Sequence, residues 1–316
     1  MFAHDGVNIS ADTSEALICD EEEILVTSSL SAVLASMFLL GIAGNLYVLA
    51  INMQSHKPSG SMSVHIINLA LADLLYLSTI PFVVSTYLSQ DWYFGDVGCR
   101  VLLSMDLFTM HASIFTLTVM SMERYQAVVF PLKARLAQGY HKITNLGIWI
   151  MSLLLTMPMI CMIRLQESHY GYNKKICFPT WTPDAFRLYL TVLFCTSILG
   201  PGLVILYLYA SLTRTYWTSG QQFPQSSRKL KQCIGCRIFT IILVYWACFV
   251  PFWAWQLAKF YQQEPLGLEP TRQIYLNLGV TCLTYGNSCV NPLLYTLLTQ
   301  NYREYIASRV RGTNLA

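Results

Sequence analysis

The sequence predicts an all-α membrane protein, a bundle of seven transmembrane helices followed by a short amphipathic eighth helix. Three observations carry that prediction. Apolar residues make up 54% of the 316 and charged residues only 12%, against roughly 25% charged in soluble domains, and mean hydropathy is +0.44. Apolar runs fall at about 24–51, 62–88, 99–122, 143–163, 186–212, 234–258 and 273–298, each long enough to span a bilayer. Twelve of the 20 basic residues fall in alternate loops or in the tail.

Residues 1–23 form an N-terminal arm, 24–300 the bundle, and 301–316 the amphipathic helix and tail. Residues 1–56 hold seven acids and no Lys or Arg, whereas Lys57, Lys133, Arg135, Lys142, Arg214, Arg228, Lys229, Lys231, Arg237, Arg303, Arg309 and Arg311 crowd the other side. Positive charge is retained in the cytoplasm, so this pattern predicts a plasma-membrane protein with its N-terminus outside and its C-terminus inside. No basic segment followed by an apolar core opens the chain, so the first span is expected to serve as an uncleaved insertion signal. Asn8-Ile9-Ser10 is a glycosylation sequon on the outer side. The charge split, acidic outside and basic inside, gives no reason to expect a nucleic-acid partner.

Pro81, Pro158, Pro201, Pro251 and Pro292 fall inside spans. Each removes a backbone donor and bends its helix, which a membrane bundle tolerates when a neighbour satisfies the freed carbonyl. Beyond Leu298, Asn301–Val310 alternates apolar residues with Arg and Glu, the pattern of a helix lying on the membrane surface among lipid headgroups.

The third run carries the most information. A helix from Cys99 to Arg124 is roughly 37 Å long, and it holds Asp106 within an apolar stretch before ending on Glu123-Arg124-Tyr125. A carboxylate in the bilayer costs about 2.5–3.5 kcal/mol on insertion scales, so Asp106 needs a compensating role. Among the ten cysteines, Cys99 and Cys177 both lie at outer positions and form the expected disulfide. Cys161, Cys195, Cys248, Cys282 and Cys289 read as small core residues. Cys233 and Cys236 form a lone C-x-x-C without the second pair that a zinc site needs.

Taken together, further motifs resemble the rhodopsin-like G-protein-coupled receptors. They are Gly44-Asn45, Asn68-Leu69-Ala70-Leu71-Ala72-Asp73-Leu74, Glu123-Arg124-Tyr125, Trp149 with Pro158, Pro201 with Tyr209, Cys248-Phe249-Val250-Pro251 and Asn291-Pro292-Leu293-Leu294-Tyr295. Longer runs, Trp92–Arg100, Met110–Thr118 and Cys282–Cys289, resemble the urotensin-type receptors within that family, whose ligand is a short cyclic peptide with an aromatic-lysine-aromatic core. That resemblance implies a cell-surface receptor for such a peptide, coupled to a heterotrimeric G protein of the Gq class and raising intracellular calcium.

Asp106 lies about 10 Å below the outer end of its helix, where it could meet a ligand ammonium in a charge-assisted hydrogen bond. By resemblance the partner is the lysine of the peptide core, with Tyr285 steadying the carboxylate; the bland alternative is an Asp held by neighbouring helices. Met110, Phe252, Trp253 and Gln256 complete the expected ligand set, although aromatics at that height equally suit core packing or the interfacial belt. Asp73 is a second buried acid. In the family it joins Ser113, Asn287 and Asn291 around a sodium ion, and no other cofactor is expected; the alternative is a hydrogen-bonded network around a protonated Asp73. For G-protein coupling and activation the resemblance points to Glu123, Arg124, Tyr125, Tyr209, Phe249, Pro251, Asn291, Pro292 and Tyr295, with Glu123 pairing Arg124 at rest.

An amine or a somatostatin-like peptide is the alternative ligand, since each also brings a cation to Asp106. The fifth span offers Leu193-Phe194-Cys195-Thr196-Ser197, a poor match to the serines amine receptors place there, and the acidic arm suits a cationic peptide better. An enzyme is not expected, because H-E-x-x-H, G-x-S-x-G and phosphate-loop motifs are absent from the sequence. Two departures from the family stand out. Phe249 occupies a position where many relatives carry Trp, and Lys231 one where some carry an acid, so a lock from Arg124 to the sixth span would be repulsive. Signalling without ligand is expected as a result, and reporter output in unstimulated expressing cells should exceed that of mock-transfected cells.

Overall fold

The computed structural model describes residues 9–54, 61–89, 91–130, 140–167, 175–218, 225–261 and 270–298. The sequon at Asn8 and the expected eighth helix at 301–316 lie outside them. Seven spans run in order. The first is Ile9–Gln54, and its apolar part begins at Leu25. The second is Ser61–Leu77 continued by Ile80–Ser89, and the third is Gly95–Val129. The fourth, His141–Met162, leads into two antiparallel strands, β1 (Ile163–Glu167) and β2 (Lys175–Pro179), with Leu165 opposite Cys177. The fifth comprises Pro183–Phe194, a wide π turn at Cys195–Leu199 and Gly200–Thr218. The sixth is Gln225–Tyr261 and the seventh Pro270–Leu298.

The third span is the hub. It touches the second, fourth, fifth and sixth spans and both strands, while the first packs on the second and seventh. One apolar core joins Met110, Ile114 and Leu117 of the third span to Leu193, Ile241, Tyr245, Phe249 and Trp253. A second joins Leu34, Leu77, Ile80, Leu278 and Tyr285 across the first, second and seventh. Apolar side chains that face outward, such as Leu39, Leu40, Leu146 and Leu206, form the surface a lipid bilayer covers.

Six of the spans carry an apolar stretch long enough to cross a membrane. The seventh is more polar than the sequence reading expected, and the reason is a stripe aimed at the second span. Asn277 donates to Tyr87 at 3.1 Å, Thr284 lies 2.6 Å from the Tyr76 hydroxyl, and Ser288 and Asn291 both donate to Asp73. Spacings of seven, four and three residues keep these on one helical face.

The helices are locally irregular just before Pro81 and Pro201, and side chains from other spans meet the carbonyls freed by Pro201 and Pro292. Just before Pro81 the second span breaks at Ser78 and Thr79, and the Thr79 N–H and hydroxyl both donate to the Tyr76 carbonyl. Pro201 follows the π turn, and the Tyr245 hydroxyl approaches the Ser197 carbonyl, four residues earlier, at 3.5 Å. Pro292 frees the carbonyl of Ser288, which accepts from Asn45 Nδ2 at 3.1 Å; the same amide nitrogen reaches Gly41 O at 2.9 Å. Gly44 makes this approach possible, because a Cβ there would sit 3.1 Å from the Pro292 ring.

Asn45→Ala should therefore destabilise the bundle by about 1–3 kcal/mol, since it orphans a buried carbonyl. Asn52→Ala, whose half-buried amide bonds its own helix at Val48 and no other span among the described residues, should cost under about 1 kcal/mol. Thermal melts of the purified chain in detergent give the comparison.

Candidate functional site

The spans converge on a cavity of about 570 Å³ beneath the β1–β2 hairpin, within the usual size range for a ligand site. The sequence reading did not anticipate the hairpin, whose short strands carry little pattern of their own. Three ties hold it over the bundle. Cys177 of β2 is disulfide-bonded to Cys99 at the start of the third span, with Cα atoms 5.6 Å apart. Asp96 accepts from the backbone of Leu165 at 3.1 Å and from Arg100 Nε at 2.8 Å. Asp91 accepts from the backbone of Lys175 at 2.7 Å and of Trp92 at 2.8 Å. Below, Gly95 adopts φ +69°, a left-handed conformation that favours glycine, and its carbonyl accepts from Trp92 Nε1 at 2.9 Å.

Asp106 of the third span lines this cavity. Its carboxylate has no hydrogen bond or ion pair with any described residue, although Tyr76, Tyr87 and Tyr285 lie within its electrostatic reach. An unpaired anion in an apolar cavity is costly unless a cation arrives. Phe252, Trp253 and Gln256 of the sixth span line the same cavity, together with Phe186 and Phe260. Trp253 is 1% exposed and meets Phe194 and Phe252 in edge contacts at 6.2 and 5.9 Å.

Two residues expected here lie elsewhere. Met110 is one helical turn below Asp106 and lines a separate small cavity. Tyr285 is fully buried behind the wall, stacked on Tyr76 at 4.3 Å, and its hydroxyl lies 2.6 Å from that of Thr79. The break before Pro81 supplies that partner, so the Tyr285 hydroxyl is taken up by Thr79.

Lys259 and Asn277 line the cavity and escaped the sequence reading. The Asn277 carbonyl accepts from Lys259 Nζ at 3.0 Å and from Trp255 Nε1 at 3.2 Å, and Lys259 also stands 5.6 Å over the Trp255 ring. Lys259 follows Gln256 by three residues and shares its helical face, a signal masked because a lysine near a span end ordinarily reads as an interfacial anchor. The site thus holds an open anion at Asp106, aromatic walls, and a cation tethered across from it.

The small cavity, about 10 Å³, lies deeper and is lined by Asp73, Asp106, Met110, Ser113, Phe249, Asn287 and Ser288. Asp73 Oδ1 accepts from Ser288 at 2.8 Å and Oδ2 from Asn291 Nδ2 at 2.9 Å. Phe249 stacks on Tyr245 at 4.4 Å, and Pro251 lies two residues beyond Phe249 in the sixth span.

At the far end of the third span the Glu123 carboxylate turns to two imidazoles, His65 Nε2 at 3.0 Å and His141 Nδ1 at 3.1 Å. Arg124 lies within electrostatic reach of Glu123 and Tyr209. Tyr209 packs on Phe239 at 5.0 Å, and Tyr125 meets Phe130 edge-on. Pro292 lies against Gly44 as described, while the Tyr295 side chain falls outside the described residues.

Comparison with known proteins agrees with this architecture. Residues 44–295 match the family model described as 7 transmembrane receptor (rhodopsin family). The chain is 49% identical to the urotensin-2 receptor of Homo sapiens over 92% of this chain and 74% of that one. It is 51% identical to the urotensin-2 receptor of Bos taurus over 90% and 73%. With the somatostatin receptor type 4 of Rattus norvegicus it shares 32% identity over 90% and 75%. Seven packed spans, a hairpin-roofed cavity and a match across most of the chain place this protein in the rhodopsin family of seven-transmembrane receptors, a receptor class and not an enzyme.

Proposed function

We propose that this receptor binds a short cyclic cationic peptide of the urotensin type and couples to a heterotrimeric G protein of the Gq class, raising intracellular calcium. The observation that carries the ligand class is Asp106, a carboxylate without a hydrogen bond or ion pair among the described residues, lining a cavity of about 570 Å³ with aromatic walls. A lysine ammonium seated there gains a charge-assisted hydrogen bond in a water-poor setting. Phe186, Phe252, Trp253 and Phe260 offer apolar and edge contacts to flanking aromatics. The relatives named for urotensin-2 support the reading. An amine is a weaker fit, because the Thr196 and Ser197 hydroxyls are bonded to Leu193 O and, for Thr196, also to Val192 O.

Charge placement supports a plasma-membrane orientation with the hairpin and N-terminus outside and the Arg124 end facing the G protein. We further propose that Asp73, Ser113, Asn287 and Asn291 hold a sodium ion. The residues fit a hard cation: Asn287 Oδ1 and Asn291 Oδ1 are buried without a hydrogen-bond partner among the described residues, and Asp73 supplies the negative charge. Such an ion would neutralise that charge. Ser288 and Asn291, as donors to Asp73, orient the carboxylate either way.

Intracellular calcium in expressing cells, titrated with the cyclic urotensin core peptide, tests the assignment. The parent should respond, and Asp106→Asn should lose about 10- to 100-fold in potency, the equivalent of one hydrogen bond to a charged group. A silent parent with verified surface expression sinks the pairing of ligand and G-protein class, and a G-protein-independent recruitment assay with the urotensin and somatostatin peptides then tells which half failed. Tyr285→Phe should behave differently. Its hydroxyl serves Thr79 and not the cavity, so peptide potency should move less than about threefold while the melting midpoint falls by the equivalent of about 1 kcal/mol.

A further inference from the structure

The cluster around Glu123 is built from three spans and has chemistry that peptide binding does not use. His65 comes from the second span, Glu123 from the third and His141 from the start of the fourth. One ligand atom from each, two imidazole nitrogens and a carboxylate oxygen, lie within 4.8 Å of one another. Glu123 Oε1 is 3.0 Å from His65 Nε2 and 3.1 Å from His141 Nδ1. Ligand atoms around a tetrahedral zinc ion at bond lengths of about 2.0–2.1 Å stand roughly 3.3 Å apart, so two of the three spacings need only a slight expansion.

The surroundings favour a cation. His65 Nδ1 lies 3.1 Å from Asn145 Oδ1, and a carbonyl oxygen accepts only from a protonated ring nitrogen. That leaves the lone pair of Nε2 in the neutral ring facing a carboxylate oxygen, which repels unless something positive lies between them. A carbonyl behind the distal imidazole nitrogen is the support that metal-ligating histidines ordinarily have. His141 Nε2 and Asn145 Nδ2 are buried without partners among the described residues; they sit one turn apart in the fourth span. Access is available, because the His65 side chain is 0% exposed but those of Glu123 and His141 are 24% and 18% exposed, leaving an edge where water completes a fourth ligand position.

We propose that His65, Glu123 and His141 form a binding site for a divalent transition-metal ion of the zinc class, at the end of the bundle opposite the ligand cavity. Two imidazoles and one carboxylate are the borderline donors such an ion prefers over calcium or magnesium. Bound there, the ion ties the second, third and fourth spans together and takes up the charge of Glu123 beside Arg124.

The test uses the purified full chain in detergent with Cys233→Ser and Cys236→Ser, which removes the C-x-x-C as a competing thiolate pair. Zinc is titrated against a chromophoric chelator, and cobalt is added in parallel as a spectroscopic probe. One zinc equivalent should bind, with a cobalt spectrum of tetrahedral nitrogen and oxygen ligation lacking a thiolate charge-transfer band. His141→Gln, at the partly exposed ligand, should weaken zinc at least tenfold. Asn145→Ala, which keeps all three ligands, should weaken it about tenfold. Zinc should also raise the melting midpoint of the parent but not of His141→Gln. Equal zinc affinity in parent and His141→Gln overturns the site. So does a melting midpoint that follows pH alone and ignores zinc, which would show that a shared proton joins the three groups.

Discussion

The structure depends on satisfying polar groups across helices, because lipid offers no hydrogen bonds. The bond from Asn45 to Ser288 O is the clearest case. Pro292 denies that carbonyl its own helical donor, and only a side chain from another span can replace it. The replacement needs Gly44 to let Pro292 come close. It also fixes the first span against the seventh at the level where Ser288 and Asn291 reach Asp73. One proline therefore dictates a glycine, an asparagine and the setting of the carboxylate network. The same rule operates on the fifth span, where Tyr245 of the sixth approaches the carbonyl before Pro201.

Three carboxylates on the second and third spans meet three different answers to the cost of a buried anion. Asp73 accepts from neutral donors of the seventh span, Glu123 faces imidazole nitrogens of the second and fourth, and Asp106 has no such partner among the described residues. The difference decides what each can do. An anion already hydrogen-bonded is part of the scaffold or of an ion site, whereas one that lines a cavity without such bonds is the better placed to receive a cation.

Much of this was legible in the sequence because the bilayer imposes a coarse code. Apolar runs, prolines within them and charge asymmetry located all seven spans, and Cys99 with Cys177 gave the disulfide. Asp106, Phe252, Trp253 and Gln256 came out together, since helical spacing from a recognisable start places side chains at known depth. The failures have physical causes. Met110 and Tyr285 depend on rotation and on a partner, Thr79, created by a local helix break. Glu123 lies within electrostatic reach of Arg124, as expected. What the sequence did not show is that its carboxylate also meets His65 and His141, which lie 58 and 18 residues away. The π turn and the hairpin likewise arise from tertiary demands that no local pattern encodes.

The small cavity beneath the ligand site bears on how binding is felt below. Asp106 and Asp73 both line it, with Met110, Ser113 and Phe249 between them. Two carboxylates bordering one low-dielectric space would both respond to a cation placed near it, since water and salt screen charge poorly there. Under the proposed ligand assignment, an ammonium at Asp106 would therefore alter the balance of charge and hydrogen bonding around Asp73. Phe249 stacks on Tyr245, whose hydroxyl faces the carbonyl freed by Pro201. The second, third, sixth and seventh spans thus meet around one space, and the fifth is joined to it through Tyr245. Because packed aromatics and bonded carboxylates shift between discrete arrangements and do not deform continuously, that change in charge is a physical means of favouring one arrangement of the bundle over another.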